Sequence, residues 1–369
     1  MLDRNRIEKP HDQHFDILVL GAGIVGAAVS FYLSKLGYKV AIIERDGPCA
    51  GATGACNGGI SYLGKRAMEL SQTLESLQLY QDLSKELGYP VELDQTRDMV
   101  LLGKGEEDLE DLEILIAEAK AQGQEARLLS RKKLLAYLPQ ASPLVSYAAV
   151  SPGGLQGVAN PFSVTYAYLG AASDYGAQYR QADVQSLWME AGRVRGVVTD
   201  QGEIEGDIVV NALGVDADRI WEMEQIDSGM VPQKGIVLVS EAYPRMFPGN
   251  LLNAAFMKKN PPEISLAIEQ TLSGQLLLGA AKLINQPGKD MPPGIMEKIA
   301  MHAMSYVAGL EEVNIIRAYT GLRPTRSEGH WLGETKIRNV FAALGFGGSG
   351  ITLAPYAGKK LAQIIGGKS

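Results

Sequence analysis

One segment near the start of the chain, residues 15–44, restricts the fold more than any other part of the sequence. Phe15–Leu20 reads FDILVL, a short apolar run typical of a buried parallel strand. A glycine-rich turn follows, then residues 27–36 with helical spacing, then a second apolar run at 39–43 that ends at Glu44. This order and spacing predict a βαβ unit that binds a dinucleotide. The turn consists of Gly21, Ala22, Gly23, Ile24, Val25 and Gly26.

Each part of this segment has a physical role in holding a nucleotide. Gly21 permits the tight turn, Gly23 lets a pyrophosphate approach the backbone, and Gly26 allows the helix to pack against the strand. The helix N-terminus offers free N–H groups and the positive end of its dipole to phosphate. Glu44 can accept hydrogen bonds from ribose hydroxyls and repels a 2′-phosphate, which disfavours NADP and leaves NAD and FAD open.

Composition argues against several other classes of partner. The chain of 369 residues has a net charge of −7, so it lacks the positive field that nucleic-acid binding requires. No apolar stretch approaches the ~20 residues of a membrane-spanning helix. The two cysteines, Cys49 and Cys56, are too few for a disulfide framework and lack the spacing of a zinc or C-x-x-C site. We therefore expect a small-molecule substrate, no metal, and a reducing, cytoplasmic environment.

The rest of the chain indicates two discontinuous domains. Residues 70–87, 106–120 and 127–138 have helical spacing, whereas alternating segments such as IVLVS and QLLLGAA indicate a second, more antiparallel sheet. A strand at Val340–Leu344, a glycine turn and a helix at 351–365 close the chain in the order in which it begins. We therefore predict that one domain consists of residues 1–90, 150–228 and 320–369 and binds the nucleotide. The predicted substrate domain consists of residues 91–149 and 229–319.

Several longer segments are similar, in the same order, to the landmarks of one enzyme family. They are GAGIVGAAVSFYLSKLGYKVAIIERD, the small-residue run after it, NPFSVTYAYL, VVNALGVDAD, TGLRPTRSEGHWLG and GFGGSGITLAP. Over nearly its whole length the chain resembles the FAD-dependent D-amino acid oxidase-like family, which includes glycine oxidase, sarcosine oxidase, dimethylglycine dehydrogenase and opine and hydroxyproline dehydrogenase β subunits. The resemblance implies an α/β fold: a Rossmann-type, glutathione-reductase-like FAD-binding domain with an inserted α+β substrate domain built on a mostly antiparallel sheet.

The resemblance also implies a flavin enzyme that removes a hydride from the carbon bearing an amine and so forms an imine. Arg323, in the motif G-L-R-P, matches the family arginine that pairs with the substrate carboxylate, and its planar donor fork suits a bidentate clamp. Tyr62 and Tyr319 are candidates for covering the substrate. Lys282 and His330 are candidate neighbours of the flavin or substrate, with a solvated lysine and a surface-turn histidine as the ordinary alternatives.

Matching to the family motifs indicates which residues hold FAD. The small-residue loop, residues 51–62 with the sequence GATGACNGGISY, contains glycines that let the backbone approach the flavin. Cys56 stands near the position of a histidine that bonds covalently to flavin in dimethylglycine dehydrogenases, so a thioether is an alternative to a small packing side chain. Beyond the glycine turn and Glu44, the implied FAD-binding residues are Arg45, Thr53, Gly54, Asn57, Gly58, Gly59, Val184, Ala212, Gly214, Gly347, Gly348, Ser349, Gly350, Ile351 and Thr352.

The sequence thus predicts an FAD-dependent oxidase or dehydrogenase that acts on the C–N bond of a small amino acid, such as glycine, sarcosine, a D-amino acid, proline or hydroxyproline. One alternative is an FAD-dependent hydroxy-acid or glycerol-phosphate dehydrogenase, because Arg323 can bind a carboxylate in either case. Another is the FAD-binding subunit of an electron-transfer dehydrogenase whose iron–sulfur relay lies in a different subunit, because this chain has no cysteine cluster. A partner subunit or a homo-oligomer is compatible with the sequence.

Overall fold

The structure is a computed structural model that describes residues 14–65, 67–220, 226–258, 262–284, 286 and 288–367. The helices are α1 (Ile24–Lys35), α2 (Ala67–Gln81), α3 (Leu83–Leu87), α4 (Glu106–Ala121), α5 (Arg131–Tyr137), α6 (Pro161–Asp174), α7 (Ile295–Met304) and α8 (Gly350–Gly366). The strands are β1 (Phe15–Leu20), β2 (Val40–Glu44), β3 (Gly59–Ile60), β4 (Leu93–Asp94), β5 (Asp98–Gly103), β6 (Arg127–Ser130), β7 (Tyr147–Ser151), β8 (Gly157–Ala159), β9 (Gln178–Gln181), β10 (Val184–Glu190), β11 (Arg193–Thr199), β12 (Gly202–Asn211), β13 (Val231–Ala242), β14 (Gly249–Asn253), β15 (Ile264–Gln270), β16 (Gln275–Ala281), β17 (Leu283–Ile284), β18 (Ile315–Thr325), β19 (Trp331–Glu334) and β20 (Val340–Leu344).

The first sheet has eight strands, and five parallel strands form its centre. They lie in the order β9, β2, β1, β12 and β20, with β19 antiparallel at the outer edge of β20. The first part of β12 leaves this block to pair with the hairpin of β10 and β11. Because β1 and β20 are both neighbours of β12, the beginning and the end of the chain meet in one sheet.

Helices α1, α6 and α8 pack together beside this sheet. Nearly every residue of α1 is buried, which its small and apolar sequence IVGAAVSFYLSK permits. A methyl group added at Gly358 of α8 would lie 2.7 Å from the backbone of Ala28 in α1, so the two helices cross at backbone contact distance. This packing fixes the start of α1 against the carboxyl end of β1.

The second sheet has nine strands and is almost entirely antiparallel. Its order is β17, β13, β16, β15, β14, β5, β7 and β6, with β18 paired along the other edge of β13. Only β5 and β14 run parallel among the described pairs. A small sheet of β3, β8 and β4 lies apart from both.

The predicted fold class, a parallel nucleotide-binding sheet combined with a mostly antiparallel sheet, is confirmed by this arrangement. Two details differ. Residues 127–130 form strand β6 beside β7, so the helix predicted at 127–138 is confined to α5. The predicted domain boundary between residues 319 and 320 falls inside β18, whose whole length pairs with the second sheet, and the division into domains stays a prediction. No helix among the described residues is long and apolar enough to span a membrane.

Candidate active site

A cavity of about 1030 Å³ extends from the carboxyl ends of the parallel strands to the second sheet. At one end it is lined by the glycine turn, Glu44 and Val184. Its middle is lined by the small-residue loop and by the turn that precedes α8. Its other end lies against β15, β16 and β18, where apolar side chains such as Met99, Leu252 and Leu277 contribute to the wall. The cavity is therefore long, polar at one end and mainly apolar at the other.

The glycine turn can exist only with glycine at two of its positions. Gly21 has a φ of 100°, a backbone conformation that disfavours other residues. A Cβ at Gly26 would lie 2.0 Å from the carbonyl oxygen of Gly21, which is far below any contact distance. The turn also receives support from the small-residue loop, because the N–H of Ile24 donates to Thr53 Oγ1 over 3.0 Å. The loop and the helix N-terminus are thus held together at the cavity wall.

Glu44 lies at the end of β2, as the sequence predicts, and its carboxylate accepts two hydrogen bonds from backbone N–H groups. Its Oε2 accepts a hydrogen bond from the N–H of Ala22 at 2.9 Å, and its Oε1 accepts one from the N–H of Asp46 at 2.9 Å. Each carboxylate oxygen has a further lone pair. Neighbouring Arg45 is exposed and forms ion pairs with Asp46 and Asp216, so it forms part of the outer rim of the cavity.

The small-residue loop is held so tightly that side chains are excluded at several positions. A Cβ at Gly54 would lie 2.4 Å from the carbonyl oxygen of Cys49, and one at Gly58 would lie 2.2 Å from that of Ala159. A Cβ at Gly321 of β18 would lie 2.2 Å from the Cβ of Ala55 in the loop. The loop therefore packs at close contact distance against β8 and β18.

Arg323 lies in the inner end of the cavity, on β18. Its guanidinium group covers the backbone of Gly235 on β13, where an added Cβ would lie 2.5 Å from Nη1, 2.7 Å from Cζ and 2.8 Å from Nη2. Nη1 donates to the carbonyl oxygen of Ala281 at 3.2 Å. Burial lowers the pKa of Arg323, and nearby Cys56, Tyr319 and Glu269 oppose that effect. No ion pair to Arg323 is formed within the described part of the chain, so its charge is available to a ligand.

Glu269 and Tyr319 join Arg323 in this inner end, and the sequence did not single out Glu269. Glu269 lies on β15, is buried and lines the cavity. Burial raises its pKa to about 7, and hydrogen bonds from Gly59 and Asn57 and the charge of Arg323 act in the opposite direction. Burial and the nearby Cys56 and Glu269 raise the pKa of Tyr319. Both groups line the wall of the cavity together with Arg323.

Cys56 lies in the small-residue loop beside this group of side chains and lines the cavity. Its sulfur accepts a hydrogen bond from the N–H of Gly58 at 3.3 Å. Burial and the nearby Glu269 raise the pKa of the thiol to about 11. The neutral thiol is therefore the form present at physiological pH.

The turn before α8 presents backbone to the cavity, whereas Ser349 turns away from it. Gly347 has a φ of 53°, and Gly347, Gly348 and Gly350 all line the wall. The hydroxyl of Ser349 donates to Glu69 Oε1 at 2.7 Å and accepts a hydrogen bond from Lys65 Nζ at 2.5 Å. The side chain of Ser349 therefore anchors the turn to α2.

Three of the five side chains that the sequence offers as candidates for contact with the substrate lie outside the cavity wall. Tyr62 is buried, its hydroxyl donates to the carbonyl oxygen of Glu125 at 2.8 Å, and it does not line the cavity. His330 stacks on Phe346 with a centroid separation of 5.1 Å, so it lies behind a side chain that lines the cavity. Lys282 donates to the carbonyl oxygen of Phe256 at 2.9 Å and lies over that ring.

Most of the predicted FAD-binding residues are brought together in one wall. Apart from Ala22 and Ser349, all of them line the cavity. Ala22 is buried beneath the turn, where its N–H donates to Glu44. Burial lowers the pKa of Lys282 to about 7, and the charges of Arg323 and Lys65 act in the same direction. Lys282 is thus a neighbour of Arg323 although it does not line the cavity.

Several known proteins are similar to this chain in sequence or in fold over most of their length. The family model described as FAD dependent oxidoreductase (DAO) matches residues 16–364. A glycine oxidase of Geobacillus kaustophilus is 26% identical, over 95% of this chain and 93% of that protein. The hydrogen cyanide synthase subunit HcnC of Pseudomonas aeruginosa is 25% identical, over 84% and 82%. The crystal structure of an L-proline dehydrogenase from P. horikoshii superposes with a TM-score of 0.88 at 22% identity, covering 97% of this chain and 94% of that one, which shows the shared fold.

Proposed function

The chain belongs to the DAO family of FAD-dependent oxidoreductases, and from this premise we propose that it oxidises the carbon–nitrogen bond of a small amino acid. The product is an imine, which water converts to a keto acid or aldehyde. The observation that carries the proposal is the inner end of the cavity, where Arg323 has no ion-pair partner among the described residues and lies beside the buried carboxyl group of Glu269. An arginine and an acid in one apolar pocket complement a molecule that carries both a carboxylate and an amine.

The cavity fits FAD. At Gly51 and Gly348, both in the wall, an added Cβ would meet no protein atom within 4 Å, so bare backbone faces the interior. Such backbone suits a flat ring system and a pyrophosphate. Glu44 and Val184 would hold the adenosine end, and the glycine turn with Thr53 would hold the pyrophosphate. When bound, FAD supplies the hydride acceptor.

Arg323 binds and orients the substrate in this proposal. Its planar fork of donors matches both oxygens of a carboxylate, and its contact with the backbone of Gly235 fixes the plane of the fork. Because Nη1 also donates to Ala281, the side chain is pre-positioned before substrate enters. Orientation of this kind places the α-carbon in one defined position and accounts for a large part of catalysis.

The apolar part of the wall excludes water from the same region. Leu252, Ala267 and Leu277 come from neighbouring strands of the second sheet, and Tyr319 adds an aromatic ring from β18. In a site with little water, the attraction between Arg323 and a carboxylate is stronger than at the surface. The second sheet therefore serves as the substrate-binding half of the cavity.

A panel of compounds tests the proposed function. Protein purified with its flavin is mixed under anaerobic conditions with glycine, sarcosine, D-amino acids, proline and hydroxyproline, and the loss of flavin absorbance is recorded. We expect at least one amino acid to reduce the flavin. Reduction only by hydroxy acids or by glycerol phosphate would replace amine oxidation with alcohol oxidation.

A further inference from the structure

One carboxyl group differs from all others that line the cavity. Of the carboxylate side chains in the wall, Glu269 alone is buried among the described residues, with 7% of its surface exposed. It lies at the inner end, on the same apolar wall as Arg323, whereas the remaining acids line the nucleotide end or the rim. A buried acid at this position needs an explanation, because ionisable groups in apolar surroundings lose their hydration.

The two oxygens of Glu269 have different surroundings. Gly59 and Asn57, both in the small-residue loop, act on the carboxyl group by lowering its pKa against the effect of burial. Oε1 lies so near Gly59 that a Cβ there would be 2.2 Å from it. Oε2 is buried without a hydrogen-bond partner in the described part of the chain. The carboxyl group thus lies against the small-residue loop, and the protein leaves Oε2 without the donor that a buried oxygen requires and a ligand can supply.

The charged neighbour of Glu269 is close but not bonded to it. Arg323 affects the pKa of Glu269 through its charge alone, with no direct hydrogen bond between the two side chains. The thiol of Cys56 and the phenol of Tyr319 also face this position, and raised pKa values keep both of them neutral near pH 7. Arg323 and Glu269 therefore form a positive and a potentially negative group that lie close together in the pocket without being bonded to each other.

We propose that Glu269 binds the amino group of the substrate and removes its proton before oxidation, while Arg323 binds the carboxylate. An N–H bond of the ammonium group breaks, an O–H bond forms on Glu269, and the electron pair stays on nitrogen. The free pair then stabilises positive charge that develops on the adjacent carbon, which a protonated nitrogen cannot do. This assignment rests on the proposed function. It adds a proton acceptor, Glu269, to the arginine that binds the substrate carboxylate.

Two ligands that cannot be oxidised test the assignment by binding alone. 2-Aminoisobutyrate carries a carboxylate and an ammonium group but no α-hydrogen, and pivalate replaces the ammonium group with a methyl group. Isothermal titration of the flavin-loaded protein should show at least about tenfold tighter binding of 2-aminoisobutyrate, as expected for a buried charge-assisted hydrogen bond. In Glu269→Gln this preference should disappear while the affinity for pivalate stays the same.

The pH dependence gives a second readout. Because Glu269 has a raised pKa of about 7, its charged form grows as pH rises through 7, and binding of 2-aminoisobutyrate should strengthen from pH 6 to pH 8. Glu269→Gln should show no such change. Lys282 also has a pKa of about 7, so Lys282→Met serves as the comparison, and the rise should persist in it. Glu263→Gln, an exposed acid just before β15, should match the wild type.

The outcomes separate this assignment from the proposed function. Equal binding of the two ligands by the wild type, or a preference that survives in Glu269→Gln, overturns the role of Glu269. The proposed function still stands if amino acids reduce the flavin in that case, and it fails separately if no amino acid does. Flavin content and circular dichroism confirm that each variant is folded, and Glu269→Asp, which keeps the carboxylate, should retain part of the preference.

Discussion

Replacing Gly235 with alanine should weaken substrate binding without touching the substrate. The new methyl group would lie 2.5 Å from Nη1, 2.7 Å from Cζ and 2.8 Å from Nη2 of Arg323. Ordinary contact distances begin near 3.5 Å, so the guanidinium group must move by about 1 Å. The protein can accommodate this movement because the clashing atoms are the far end of a flexible side chain. The fork then no longer presents both donors to a carboxylate.

The size of the effect follows from the bonds that are lost. A hydrogen bond to a charged group contributes about 1.5–3 kcal/mol, so losing one of two such bonds should raise KM by about tenfold to a hundredfold. Steady-state kinetics with the best amino acid of the panel measure this change. Flavin content should equal that of the wild type, because Gly235 lies on the substrate half of the cavity. Gly105→Ala is the matched control, since its Cβ would meet no atom within 4 Å.

An unchanged KM in Gly235→Ala would show that the charge of the guanidinium group alone, and not the orientation of its plane, selects the substrate. A loss of flavin together with a loss of activity would show that the contact stabilises the fold more than the ligand. Either result would require a different role for the close approach of β13 and β18.

Three further predictions concern the same cavity. Arg323→Ala should lower kcat/KM by about a hundredfold to a thousandfold while the flavin stays bound, and Arg323→Lys should recover only part of this loss, which steady-state assays measure. Gly26→Ala should yield protein without flavin, because its Cβ would lie 2.0 Å from the carbonyl oxygen of Gly21; absorbance of the purified protein decides this. Acid precipitation should release all the flavin into the supernatant, because a raised pKa of about 11 keeps the Cys56 thiol neutral and unreactive, and flavin retained in the pellet would establish a thioether.

The nucleotide half of the cavity could be predicted from sequence because local patterns determine it. The order of strand, glycine turn, helix and acid leaves few alternatives, and the backbone contacts of Gly21 and Gly26 explain why those positions are glycine. The small-residue loop is predictable in the same way, because small side chains directly after such a unit indicate a surface where a ligand approaches the backbone.

The substrate half was harder to predict, because its residues come from distant segments. Glu269 is the second-last residue of a strand with the sequence ISLAIEQ, where an acid ordinarily faces solvent. Only the pairing of β15 within the second sheet places it against the small-residue loop. Tyr62 and Tyr319 are both single aromatic residues near motifs, yet only Tyr319 lines the cavity. The sequence of residues 127–130 fits a helix as well as a strand, and only the pairing with β7 makes these residues a strand.

Single-turnover stoichiometry distinguishes oxidation of an amine next to a carboxylate from oxidation of an alcohol in this FAD enzyme. The flavin-loaded protein is mixed anaerobically with the amino acid that reduces it fastest, and separately with the corresponding hydroxy acid. Reduced flavin and the carbonyl product are then quantified. We expect one carbonyl product per reduced flavin with the amino acid, and no reduction by the hydroxy acid. Flavin reduction by the hydroxy acid alone would contradict this expectation.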